Sequence, residues 1–184
     1  MRHREVVYAG IDPGLSGVLA RLEVWADSGG TEVRVCLHPL PTVRAGRGSR
    51  RVHDVPALVA LLREQAAGAA LVALERQQAM PGQGVSSSCT TGYGYGLLRA
   101  GLAACGATVE EVRSDVWKRG IGLLAPPDGG TRAQRRAASK ALAVVRAQAL
   151  YPGVDLRLGK RVPSPDAAEA LLLARWASLR GGGA

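Results

Sequence analysis

The chain has 184 residues, 47% of them hydrophobic and 21% charged, so residues 1–184 are expected to form one globular domain with a sizeable core. Twenty-four Lys and Arg stand against 15 Asp and Glu, giving a formal net charge of +9 and a pI of about 10.3, a balance that favours a polyanionic partner, nucleic acid foremost. There is no apolar run long enough to cross a membrane, no secretory leader, and no CxxC or Cys/His cluster for zinc among Cys36, Cys89 and Cys105, so a cytoplasmic protein with reduced thiols is expected.

Residues 6–12 are a short apolar run ending at Asp-Pro-Gly, a strand running into a turn. Residues 17–25 and 31–37 alternate apolar and polar side chains around the Ser28-Gly29-Gly30 turn, which predicts an antiparallel three-strand meander. Residues 43–54, VRAGRGSRRVHD, read as a basic loop, and 55–65 as a helix capped by Asp54 with Pro56 in its first turn. Residues 69–75, AALVALE, predict a buried strand ending on a carboxylate. MPGQGVSSSCTTGYGYG is rich in glycine and hydroxyl residues and reads as flexible, leading into a helix that stops at Gly106. A fifth strand over 108–112, a Pro/Gly loop at 126–130, a helix over 131–150, the basic linker RLGKR and a last helix complete the order βββ-α-β-α-β-α-α. That order predicts an α/β fold: a five-stranded mixed sheet, the meander plus two further strands, flanked by helices. RGGGA at the C-terminus, residues 181–184 in particular, is expected to fray.

Four acids lie where a carboxylate is locally surprising. Asp12 ends the first strand and Glu75 the fourth. Asp166 and Glu169 open the last helix, whose Ser164 cap, Pro165 and Ala/Leu body predict burial on most sides. Each acid has an ordinary alternative taken alone: a turn residue, a solvated strand end, a partner for the helix dipole. Glu169 fits those alternatives least, because Leu172 and Leu173 occupy its i+3 and i+4 positions and Trp176 shares its face. If the first and fourth strands are parallel neighbours, Asp12 and Glu75 meet at their carboxyl ends. Clustered carboxylates need a counter-charge. Mg²⁺ is the natural one, with Mn²⁺ able to substitute, and two such ions about 4 Å apart can drive phosphodiester hydrolysis.

GIDPGLSGV at 10–18, VALE at 72–75 and DAAEALLLA at 166–174 resemble, in order and in spacing, the RuvC-type Holliday junction resolvases of the RNase H-like fold. TGYGYGLL at 91–98 and WKRGIGL at 117–123 look closer to the phage and chloroplast branches. The resemblance implies that Asp12, Glu75, Asp166 and Glu169 are metal ligands and that Lys118 stands near the scissile phosphate. It further implies a homodimer that nicks two opposed strands of a four-way DNA junction, leaving 5′-phosphate and 3′-hydroxyl ends. Two departures stand out: Glu169 where bacterial relatives usually have Asp, and no aromatic wedge after Glu75, for which Met80 could serve.

Arg132, Arg135, Arg136 and Lys140 recur at i, i+3, i+4 and i+8 with no interleaved acid, which points to phosphate contact. Arg44, Arg47, Arg50 and Arg51 form a second basic cluster, and Arg157, Lys160 and Arg161 a third just before the acidic helix. Such contacts position DNA without reading its sequence. Gly92 and Gly96, spaced for close helix approach, and the neighbouring Tyr93 suggest a two-fold interface. An actin-like ATPase needs two domains and a second phosphate loop, for which 184 residues leave no room. A non-catalytic nucleic-acid binder fits poorly with acids at every position. Another RNase H-like nuclease, acting on branched DNA or an RNA–DNA hybrid, is the nearer alternative. No membrane and no small-molecule cofactor are expected.

Overall fold

The computed structural model describes residues 4–27, 30–46, 51–78, 82–123 and 130–182. Its centre is a five-stranded sheet whose strands lie side by side in the order Gly30–Pro39, Val18–Asp27, Arg4–Asp12, Leu71–Glu75 and Val109–Val112. The first three strands, β1 (Arg4–Asp12), β2 (Val18–Asp27) and β3 (Gly30–Pro39), form the expected antiparallel meander. β6 (Leu71–Glu75) runs parallel to β1, and β7 (Val109–Val112) parallel to β6.

Side chains alternate across this sheet, as strand geometry requires. Ala9, Ile11, Val72 and Leu74 face one side, where they pack with Leu58 and Leu62 of α1 (Val55–Gln65) and Leu98 and Leu102 of α2 (Val85–Ala104). Tyr8, Ala73 and Val112 face the other side, against α5 (Pro165–Arg180) and the buried residues of α4 (Arg132–Leu150). By the same alternation Asp12 and Glu75 project toward α5. Ile11 pairs with Leu74, so the two acids emerge side by side at the carboxyl ends of parallel neighbours.

α5 begins as its sequence predicts. Ser164 accepts a hydrogen bond from the Ala167 amide, and Pro165 sits in the first turn. Residues Ala167–Ala174 are all buried. The helix lies directly on β1 because of Gly10. A Cβ there would fall 2.2 Å from the Ala174 nitrogen and 2.3 Å from the Ala170 oxygen, distances no real side chain tolerates. The absent side chain at Gly10 therefore sets how close the body of α5 comes to β1, and through the rigid helix where its opening acids lie.

Three local expectations are corrected. The segment read as flexible becomes helical at Val85, well before its glycines end. Each glycine costs a helix up to about 1 kcal/mol, but Gly94 seats α2 against His53 and Gly101 seats it against Leu62, so packing overrides propensity. The basic loop contains two three-residue strands, β4 (Thr42–Arg44) and β5 (Arg51–His53), paired as a small separate sheet. A further helix, α3 (Ser114–Gly120), follows β7 where sequence patterning placed none.

Candidate active site

Asp12, Asp166 and Glu169 each offer a carboxylate oxygen within 4.8 Å of the others. Two come from one turn of α5 and one from the end of β1, held together by the Gly10 contact. Glu169 is buried, with 7% of its surface exposed. Glu75 lies beside this trio but outside it, and its Oε2 accepts a hydrogen bond of 2.9 Å from the Trp117 indole.

Two lysines answer the negative charge. Lys118 Nζ stands 2.7 Å from Glu169 Oε1 and also donates to Ser139 Oγ at 3.3 Å. Lys140 Nζ stands 2.5 Å from Asp166 Oδ1. The helical periodicity of α4 grouped Lys140 with the arginines as a DNA-facing cation; in the structure its ammonium turns into the carboxylate cluster. Periodicity identifies a helix face but not what that face meets.

Electrostatics separate the acids. Burial pushes the Asp12 carboxyl well above the usual range, and Glu169, Glu75 and Asp166 push it further the same way, with Lys140 opposing. Burial also raises Glu75, partly offset by the Trp117 hydrogen bond. Burial works against the Lys140 ammonium, but its hydrogen bond to Asp166 and the surrounding carboxylates outweigh that and hold its pKa above the ordinary lysine value. Four carboxylates with two ammonium partners leave the centre short of positive charge. The donor set is all hard oxygen, and three of its members converge within one ion's reach, so the residues present fit Mg²⁺ or Mn²⁺.

The cluster lines a cleft of about 420 Å³ together with Ser16, Gln77, Ser114 and Arg136. A neighbouring cleft of about 650 Å³ shares Glu75, Gln77, Ser114 and Arg136 with it. A third, of about 730 Å³, runs along α2 to the β4–β5 hairpin and again includes Gln77. The Gln77 amide donates to the Pro13 carbonyl at 3.0 Å, tying the end of β6 to the turn after Asp12.

The other predicted contacts distribute unevenly. Arg136 reaches two of the clefts. Arg135 is exposed and donates to the Gly130 carbonyl at 2.6 Å, and Arg132 opens α4. Arg51 holds the hairpin in place, donating to Leu15 O at 3.0 Å and Thr42 Oγ1 at 2.7 Å; Arg44 is exposed opposite it. Arg157 is exposed and bound by Asp155 at 2.8 Å, while Lys160 and Arg161 are exposed in the same linker. Arg47, Arg50 and Met80 lie outside the described residues. Gly92, Tyr93 and Gly96 form an exposed strip on α2, whereas Gly94 and Gly101 face inward. Sequence reasoning passed over Trp117 as a site residue and did not name Gln77, Ser114 or Ser139. Only the Trp-Lys pair itself marked that region.

No protein-family model matches the chain, and no curated protein sequence does. Among solved structures, the chain is similar to T. thermophilus RuvC in complex with Holliday junction substrate, with a TM-score of 0.51 and 16% sequence identity over 97% of this chain and 98% of that one. A Thermus thermophilus RuvC structure gives the same TM-score and identity over 96% and 97%. The likeness is one of fold and spans nearly the whole of both chains, this one built as a five-stranded mixed sheet flanked by helices.

Proposed function

We propose that this chain is a divalent-metal-dependent endonuclease that resolves four-way DNA junctions. The observation that carries the reading is the convergence of Asp12, Asp166 and Glu169 within 4.8 Å, beside Glu75, in a cleft edged by Lys118 and Arg136. The fold likeness to a RuvC solved on a Holliday junction supports four-way DNA as the substrate class. The four carboxylates would hold a pair of Mg²⁺ ions, for which Mn²⁺ can substitute, and such ions would supply an activated water and charge stabilisation for phosphodiester hydrolysis. Lys118, paired with Glu169 in the free chain, would turn to the developing charge on the phosphate once metal neutralises the carboxylates, and Arg136 would draw the backbone into the cleft. The products carry 5′-phosphate and 3′-hydroxyl ends. Two copies joined through the Gly92, Tyr93 and Gly96 strip give the paired nicks that resolution requires.

The test is cleavage of end-labelled four-way junction, linear duplex and RNA–DNA hybrid, each with Mg²⁺, Mn²⁺ or EDTA. Metal-dependent, symmetric nicks confined to the junction are expected. Degradation of the hybrid would reassign the chain to RNase H-type activity. Junction binding without nicks in any metal would make it a non-catalytic binder.

A further inference from the structure

Trp117 has no exposed surface, and it sits in the short helix α3. Its ring packs in the cluster that contains Val112, Ile121 and Trp176. Close packing of α3 on α5 fixes its place: a Cβ at Gly120 would fall 2.7 Å from Trp176 Nε1. A buried indole N–H requires an acceptor, and here the acceptor is Glu75 Oε2 at 2.9 Å.

This contact differs in kind from those made to the other acids. Lys118 and Lys140 neutralise the carboxylates they touch. The indole is neutral, so it engages one Glu75 oxygen without cancelling the charge. The bond occupies one Glu75 oxygen, leaves the other without that donor and restrains the side chain's rotation, and Glu75 is the acid that stands outside the close trio.

We propose that Trp117 is a positioning residue of the metal centre, holding Glu75 so that it joins Asp12 as a ligand through its remaining oxygen. The proposal rests on the metal-dependent reading above and names the residue that orients one of its ligands. Outer partners of this kind typically change metal affinity by about 10–100-fold.

The test uses DNA-free protein and needs no activity. Mn²⁺ affinity is measured by electron paramagnetic resonance for the wild type, Trp117→Phe, Glu75→Gln and the double variant. Phe retains most of the buried ring and removes only the donor. Trp117→Phe is expected to weaken Mn²⁺ binding by about tenfold, and to add nothing once Glu75 is Gln. An unchanged affinity, or the same loss in both backgrounds, means the indole serves packing alone and overturns the proposal. A wild type that binds no Mn²⁺ overturns the metal reading along with it, so the two failures are distinguishable. Should Trp117→Phe not fold, the indole ¹⁵N–H resonances provide a second reading. The chain has three tryptophans; that of Trp117 is expected to shift in Glu75→Gln, and a spectrum with no indole resonance moved overturns the proposal.

Discussion

At Asp12, burial and three neighbouring carboxylates act in the same direction, each disfavouring the charged form. Its carboxyl therefore binds a proton more tightly in the folded chain than in the unfolded one. Stability is lost as pH rises from the ordinary carboxylate range through the raised folded value, because the native state must then carry an unfavourable charge. In chelator at neutral pH, Asp12→Asn is expected to melt roughly 2–4 °C above the wild type, equivalent to about 1 kcal/mol in a chain of this size. The gap should close as pH falls below the ordinary Asp value of about 3.9, where the unfolded carboxyl of the wild type is protonated as well as the folded one. Thermal melts across that range check the sign; a variant less stable than the wild type at neutral pH would show that Asp12 is well compensated without metal. The positions of the four acids were legible in the sequence because each interrupts or ends an apolar run. Their partners were not: Trp117 and Lys118 reach Glu75 and Glu169 across 42 and 51 residues, and no local spacing records such a contact.

Among the elements, α5 does the positioning. Its cap, its proline and its apolar body were readable as a buried helix, and Asp166 and Glu169 as neighbours on one face. What the pattern did not contain was the seat. Gly10 looks like part of a turn motif, yet its role is to let the α5 backbone reach β1. Gly10→Ala is therefore expected to destabilise the fold by about 1–3 kcal/mol through overpacking, read by chemical denaturation, and to separate Asp12 from the α5 acids. A substitution within about 0.5 kcal/mol of the wild type would mean that helix and strand are less tightly joined than this geometry requires. The elements missed by sequence share a physical reason. β4 and β5 are three residues each and exist only by pairing with one another. α3 has seven residues and no side-chain cap at its start. α2 forms through its packing on α1 and His53 against the preference of its glycines.

For the whole molecule, the meander followed by alternating helices and strands fixed the class, and the observed strand order agrees with it. The parallel pairing of β1 with β6 is the step on which the site depends. It brings together acids 63 positions apart, at residues 12 and 75, and opens the cleft at the strand ends, where sites of α/β sheets commonly lie. Among the described residues no helix is long and apolar enough to cross a membrane. The net charge of +9 agrees with the cleft's basic edge at Lys118 and Arg136. Under the function proposed above, arginines would serve association with DNA and the carboxylates its cutting. The most direct measurement compares wild type with Asp12→Asn on a labelled four-way junction in Mg²⁺, recording binding and nicking together. Paired nicks by the wild type, with none by the variant at junction affinity within about twofold, are the result expected. Nicking that survives in Asp12→Asn, or that persists in EDTA, would contradict a metal-bearing carboxylate centre.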